Sequence, residues 1–572
     1  MAKLPRFPIA LPLQGTALAG LCALYLLAGL VGHDPWKSDD AIHFGVVYGF
    51  LNSDSWLIPR LAGETYFETP PLYYWVSAVC AKLFGEILPL HDAARLASGL
   101  FGALFLYLLA FARRILHDLE SAGPEAAHAR ERSESGNAAV LIGIGCLGLL
   151  MPIHDTQPMV ALLAASAGAY AGFALLSERP MAGGIIAGFG VGMGFLASGP
   201  MGLVTLGPLL LLLPLSRHWR NAASLKGVAI AAMVALALGA SWPLMLFRES
   251  PDMFNAWWTL AVADVSYQNG WLKAVPDHAE LLAWFAWPAM PLALWALWLN
   301  RKFLDRPAIL LPLGGTLLSL GSLLLIYGPR PIFALPVLVP LILLAASGAS
   351  RLRRGATNAF DWFGMMTFTL IAIVIWIYGL AITFGIPPRL AQHLATLAPG
   401  FVAGFSPLAL MVAMSSSLVW LWLIFASPRS AWRAATHWAA GLTLMWVLMV
   451  ALWMPAIDYR ISYRSVAVSL KKALAADIGY REDGRRYAGT NRGHACIAGR
   501  GLGNAQRVSL QYFADIVTIR SEMPEAKTCG LLLEQGSADS ESTPSGWHKI
   551  WEGHRPGDRT ERLRLYRHDL QS

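Results

Sequence analysis

Charged residues are scarce in this sequence. They make up 14% of 572 residues, against roughly 25% in an ordinary soluble domain. With 56% hydrophobic residues and a mean hydropathy of +0.49, that deficit excludes an ordinary soluble enzyme. Cysteine is scarce too, at five residues, which excludes a disulfide-built scaffold. Blocks of like charge are missing. The net charge of +8 is dispersed through short loops, so nucleic acid is not an expected partner. Ionisable residues are rare in the middle of the apolar runs and no inverted repeat is evident, which argues against a transporter.

What the sequence does contain is a succession of apolar runs of about 20 residues, the length that crosses a bilayer. About thirteen candidate membrane helices lie near 8–32, 94–112, 138–152, 158–177, 181–197, 201–216, 227–246, 283–299, 308–326, 332–349, 360–384, 404–426 and 437–455. The first run follows Lys3 and Arg6 but is too long for a signal-peptide core and lacks a clear small-x-small cleavage site, so it reads as a retained helix. With the N-terminus inside, the basic clusters fall on one side: Arg113 and Arg114, Arg217 and Arg220, Arg301 and Lys302, Arg351 to Arg354, and Arg429 with Arg433. That is the positive-inside pattern of a multi-pass protein of a bacterial inner membrane.

An odd number of crossings puts everything after Met454 outside. The chain then divides into a membrane domain, 1–455, and a soluble α/β domain, 456–572, on the periplasmic side. In the latter, Val466, Leu470 and Leu474 have helical spacing. CIAGR, CGLLLEQ, HKIWEG and RLRLYR read as short strands, and SADSESTPSG as a loop. Cys496 and Cys529 each open a strand, and a disulfide between them suits an oxidising compartment; two buried free thiols are the alternative. Cys22, Cys80 and Cys146 lie in apolar segments and read as packing.

The first outside loop, 33–93, holds most of the chemistry. Asp39 and Asp40 stand side by side where the chain leaves the bilayer, although adjacent carboxylates repel. DSWLIPRLAG and ETYFETPPLYYW follow. The segments 41–51 and 70–85 read as interfacial helices, with Trp36, Trp56, Tyr66, Tyr73, Tyr74 and Trp75 at headgroup level.

The acidic pair at the exit of the first helix, then W-x-x-P-R-L-x-G, then Y-F-E-x-P-P-L-x-Y-W, resembles the GT-C glycosyltransferases. The branch resembled is that of the lipid A 4-amino-4-deoxy-L-arabinose transferases, with protein O-mannosyltransferases as distant relatives. The segment Arg330 to Pro336 (RPIFALP) and the C-terminal domain fit the same pattern. The resemblance implies an all-α polytopic fold of about thirteen helices. It also implies transfer of a sugar, with inversion, from a polyprenyl (undecaprenyl) phosphate donor to lipid A or another envelope acceptor by a monomeric enzyme. It assigns Asp39 the role of catalytic carboxylate with Asp40 beside it, and makes Glu68 a substrate or divalent-metal ligand; some members hold a metal ion. Tyr66 and Asp155 are further candidate substrate contacts.

The chain departs from this pattern in several places. Where relatives have Glu-Lys-Pro, it has Glu68-Thr69-Pro70; where they have Thr-Lys-Gly, it has Ser198-Gly199-Pro200. A second acidic position falls on Gln157 or Met159, with Asp155 the nearest carboxylate. The loop 247–282 offers Asp264, Tyr267 and Lys273 in place of the usual His and Arg. Arg60, Arg330 and Lys37 are the cations left to meet a donor phosphate, the arginines bidentately. The alternative reading of the missing lysines is a degenerate homologue that binds polyprenyl lipid or a partner without turnover. For Asp39 the plain alternative is a solvated helix cap, for Glu68 a surface ion pair, and for Arg330 an interfacial anchor.

Overall fold

The computed structural model describes residues 10–36, 39–120, 125–263, 271–478, 496–539 and 543–568. A short apolar helix, α1 (Gly15–Leu27), leads into a loop that carries α2 (Asp39–Leu51), the strands β1 (Arg60–Leu61) and β2 (Glu64–Thr65), and α3 (Leu72–Phe84). Then come α4 (Leu90–Asp118), α5 (Glu125–Gly145), α6 (Pro158–Leu175), α7 (Pro180–Ser198) and α8 (Pro200–Leu212). They are followed by α9 (Ala222–Gly239), α10 (Ser241–Glu249), α11 (Pro251–Ala263), α12 (Trp271–Phe285), α13 (Ala289–Leu299), α14 (Pro307–Ser322) and α15 (Pro331–Gly348). The bundle closes with α16 (Arg354–Phe384), α17 (Pro388–Leu397), α18 (Pro407–Ala426) and α19 (Arg433–Leu452).

Helices dominate because a chain in hydrocarbon must satisfy every backbone N–H and C=O internally. Each of the apolar runs read from the sequence lies on a helix. Among the described residues nine spans are long and apolar enough to cross a membrane, or ten if α12 and α13, bent by 97° to each other, form one. The expected count of about thirteen is higher because α1 and α8 are short and the first half of α5 is polar. α6 and α15 are 89% buried and form the centre of the bundle.

The first loop is packed more deeply than its sequence suggested. Instead of lying in the interface with one face open, α2 buries Ala41, Phe44, Val46, Val47 and Phe50. Tyr73 and Tyr74 are fully buried and Tyr66 is nearly so, which removes them from the expected headgroup belt. The strands β1 and β2 pair Arg60 with Thr65 and Leu61 with Glu64. Ala62 and Gly63 between them take φ of 48° and 88°, the left-handed pair that a two-residue hairpin requires and that glycine favours.

After α19 the chain runs through α20 (Met454–Ile461) into α21 (Arg464–Ile478), then β3 (Ile497–Arg500), α22 (Asn504–Ala514), β4 (Thr518–Arg520), β5 (Leu531–Ser537), β6 (Trp547–Gly553) and β7 (Glu561–His568). The sheet order is β4-β3-β5-β7-β6; β3 is parallel to β4 and β5, and β7 is antiparallel to β5 and β6. The three apolar residues of α21 are buried with Leu510, Leu533 and Leu565. Cys496 and Cys529 form the expected disulfide, while Cys22, Cys80 and Cys146 are free.

Candidate functional site

The adjacent aspartates part company at the start of α2. Asp40 is 2% exposed and points inward, accepting from the Arg95 guanidinium at 3.1 Å, the Thr156 N–H at 2.8 Å and the Trp36 N–H at 3.2 Å. Burial alone would raise its pKa, but the charge of Arg95, then that of His33, and the Thr156 hydrogen bond outweigh it and hold the carboxyl at about 2. Arg95 is itself fully buried and also donates to Asp92 at 2.9 Å and to the Leu30 carbonyl at 3.2 Å. Asp40 therefore ties α2 to α4 and to the approach to α6.

Asp39, one residue earlier, is exposed and lines a cavity of about 620 Å³. The same wall holds Tyr66, Glu68, Thr69, Gln157, Met159, Ser198 and Arg330, with Trp257, Leu260, Ile326 and Phe333 as apolar surface. The chain thus brings Asp39, Glu68, Tyr66 and Arg330 together from segments nearly 300 residues apart. It also brings together the positions that depart from the family pattern, Thr69, Ser198 and Gln157.

Each of these side chains is placed by local structure. Glu68 follows the hairpin, and the Tyr66 hydroxyl donates to it at 3.1 Å. Burial pushes the Tyr66 phenol well above its ordinary pKa, with Tyr74 and Glu68 adding to the effect, so it stays a donor. Gln157 caps α6, its side chain accepting from the Met159 N–H at 3.3 Å. Arg330 is the N-cap residue of α15, after a turn at Gly328 where φ is 76°. The first turns of α2, α6, α8 and α15 all lie in the wall, the last three with proline at the helix start. Helix N-termini carry partial positive charge, which favours an anion in the space they share.

Other expected contacts lie elsewhere. Arg60 is in β1, outside the cavity wall. The Asp155 carboxyl is also not in the wall. It lies in the field of Asp40, Arg95 and Asp39, and burial first, then Asp40, pushes its pKa well above the carboxylate range. Lys37, Asp264 and Tyr267 fall outside the described residues, and Lys273 is exposed on α12. Among the described residues no three His, Cys, Asp or Glu side chains form a group able to hold a metal.

One cavity residue escaped the sequence reading. His43 lines the wall one helical turn after Asp39, and its Nδ1 is 2.8 Å from the Tyr74 hydroxyl. Burial lowers its pKa to about 4, against the opposing pull of Asp39 and Asp40, so the ring is neutral at neutral pH. The i, i+4 spacing from Asp39 was the available signal.

No family model matches the sequence. Curated relatives do. The undecaprenyl phosphate-alpha-4-amino-4-deoxy-L-arabinose arabinosyl transferase of Edwardsiella ictaluri is 27% identical over 434 residues, 71% of this chain and 73% of that protein. The protein of the same name from Serratia proteamaculans is 25% identical over 454 residues, 77% of this chain and 76% of its own length. Among solved structures, ArnT from Cupriavidus metallidurans bound to undecaprenyl phosphate superposes with a TM-score of 0.65 at 14% identity, covering 96% of this chain and 97% of that one. Its apo form superposes equally well, with 97% and 98% covered. The chain is a multi-pass membrane protein with the fold of ArnT, a GT-C fold, and its curated relatives are glycosyltransferases that carry the name of a lipid-linked sugar donor.

Proposed function

We propose that this protein is an inner-membrane glycosyltransferase. In this reading it moves a sugar, 4-amino-4-deoxy-L-arabinose being the favoured one, from an undecaprenyl-phosphate donor to lipid A or another envelope acceptor on the periplasmic side. The observation that carries the reading is the single cavity shared by Asp39, Glu68 and Arg330 beside apolar wall. Its charged residues, among those described, are two carboxylates and one guanidinium. A donor phosphodiester bears one negative charge, which Arg330 and the helix N-termini suit, while an amino sugar bears a positive charge, which the carboxylates suit.

The transfer requires an acceptor oxygen to attack the anomeric carbon as the bond to phosphate breaks. Asp39 takes the proton from the acceptor hydroxyl as general base. The electron pair of the breaking C–O bond leaves with polyprenyl phosphate, and Arg330 meets the charge that develops there. Attack from the face opposite the phosphate inverts the anomeric centre. The apolar residues around Trp257 and Phe333 keep water from competing as acceptor. Glu68, held by Tyr66, orients the sugar or the acceptor.

Thr69 in the wall, and Gly199 between the wall residues Ser198 and Pro200, favour a second reading, a homologue that binds the lipid without turnover, since the family pattern has lysine at both positions. Mass spectrometry of lipid A and of polyprenyl-phosphate sugars, from cells with and without the protein, separates the two. A mass increment of one amino sugar on lipid A that depends on the protein supports transfer. Identical profiles support binding alone.

A further inference from the structure

We propose that the C-terminal domain is a positioning element of the cavity, with Arg464, Arg507 and Arg520 as positioning residues that hold the first loop in register for transfer. The proposal rests on the glycosyltransferase reading and adds to it a role for the domain after α19.

Three anchors reach from this domain to the first loop, each a few residues from a cavity side chain. The first lies upstream of Asp39. Asp34 is buried and accepts two bonds from the Arg464 guanidinium and one from the Ser462 hydroxyl at 2.6 Å. Asp458 receives the Asp34 N–H at 2.9 Å and the Trp36 indole N–H at 2.8 Å. Asp39 follows Asp34 by five residues, so this knot fixes where α2 begins.

The second anchor grips the back of α2. Asp39 and His43 face the cavity, while Phe44 and Tyr48 on the other side meet the Tyr512 ring of α22 at 4.8 and 5.4 Å between centroids. Gly45 makes this approach possible, because a Cβ there would come within 2.3 Å of the Val508 side chain. The third anchor holds the hairpin. Glu64 takes Arg507 at 2.7 Å and Arg520 at 2.8 Å, and Tyr66 and Glu68 enter the cavity two and four residues later.

Docking alone does not require this distribution. Domain cohesion would be served by contacts anywhere on the membrane domain, yet both arginine clamps close on carboxylates of the segment that supplies Asp39, Tyr66 and Glu68. Charge-assisted and bidentate bonds of this kind fix direction as well as distance. A general base must lie within hydrogen-bond reach, about 2.6–3.2 Å between heavy atoms, of the group it deprotonates, and a misplacement of about 1 Å can cost about a hundredfold in rate. Holding α2 and the hairpin from behind therefore acts on the turnover rate through Asp39 and Glu68 without touching substrate.

The test uses the full-length protein in detergent or nanodiscs, with Arg464→Gln, Arg520→Gln and the double variant, since both arginines are partly exposed. Transfer is measured with the amino-sugar polyprenyl phosphate donor and purified lipid A, and hydrogen exchange is followed over 39–51 and 60–68. The expected result is a fall in kcat of tenfold or more in the double variant, donor KM within threefold of wild type, unchanged Tm and faster exchange in both segments. Arg464→Lys and Arg520→Lys together should restore most of kcat. Unchanged kcat, or a loss of rate matched by a loss of folded protein or of Tm in the single variants, overturns the proposal. An inactive wild type counts against the glycosyltransferase reading instead, and the exchange measurement then decides the mechanical claim: unchanged exchange in the double variant overturns it.

Discussion

Replacing Asp40 with asparagine should destabilise the protein, whereas the same change at Asp39 should leave it intact. Asp40 is the buried partner of an arginine whose side chain is 0% exposed, and it accepts from two backbone N–H groups besides. Asparagine keeps the shape and one acceptor oxygen, but its NH2 must face one of those donors, and the Arg95 charge loses half of its compensation. Breaking a buried ion pair costs about 3–5 kcal/mol, and the lower end applies here because Asp92 still holds the other end of Arg95. At about 2.1 cal/mol/K per residue, a chain of this size shifts by about 1 °C per kcal/mol, so the midpoint of thermal unfolding should fall by roughly 3 °C. Fluorescence-detected size exclusion after heating, on detergent-solubilised protein, reads this directly. Asp39→Asn, exposed in the cavity wall, should shift the midpoint by less than about 1 °C. An Asp40→Asn protein as stable as wild type but inactive would refute the division of labour, because Asp40 would then be the reagent.

Other outcomes follow from the same geometry. Arg330→Ala should raise the donor KM by about tenfold or more, and Arg330→Lys should recover only part of it, since an ammonium cannot reproduce the bidentate fork; an unchanged KM would place the phosphate elsewhere. Reducing the disulfide between Cys496 and Cys529, which are 33 residues apart, should cost the C-terminal domain about 3–4 kcal/mol, read as a lower Tm in dithiothreitol that Cys496→Ser reproduces. Burial, the largest single cause for each, lowers the pKa of His33 and His43 to about 4. The unfolded chain takes up these protons near pH 6.5, so the stability they contribute is full above that value and declines as pH falls toward 4. Tm at pH 5.5 should therefore lie below Tm at pH 7.5, by an amount that shrinks in a His43→Gln variant.

The helical bundle was legible because hydrocarbon imposes one rule on the whole chain: apolar runs of membrane length become helices. The strands after Cys496 and Cys529 were legible for the converse reason, as short β-rich runs bounded by turn residues. The cavity was legible in its parts, since Asp39, Glu68 and Arg330 stand in recognisable short segments. What could not be read was which of two adjacent carboxylates faces water. That depends on Arg95, 55 residues away and without any local mark. The depth of α2 and of Tyr73 and Tyr74 was also hidden, because the surface that covers α2 belongs to α22, some 460 residues later and without a local mark that pairs the two. Arg60 shows the limit of motif reasoning: it stands in the recognised segment but shapes the hairpin outside the cavity wall.

The base itself can be tested by single-turnover transfer with purified protein, comparing wild type with Asp39→Asn at saturating amino-sugar polyprenyl phosphate and lipid A. A general base of this kind supplies about 10²–10⁴-fold in rate, so the variant should bind donor normally and transfer at least a hundredfold more slowly. A variant that is folded, binds donor and transfers at the wild-type rate would show that the proton leaves by another route.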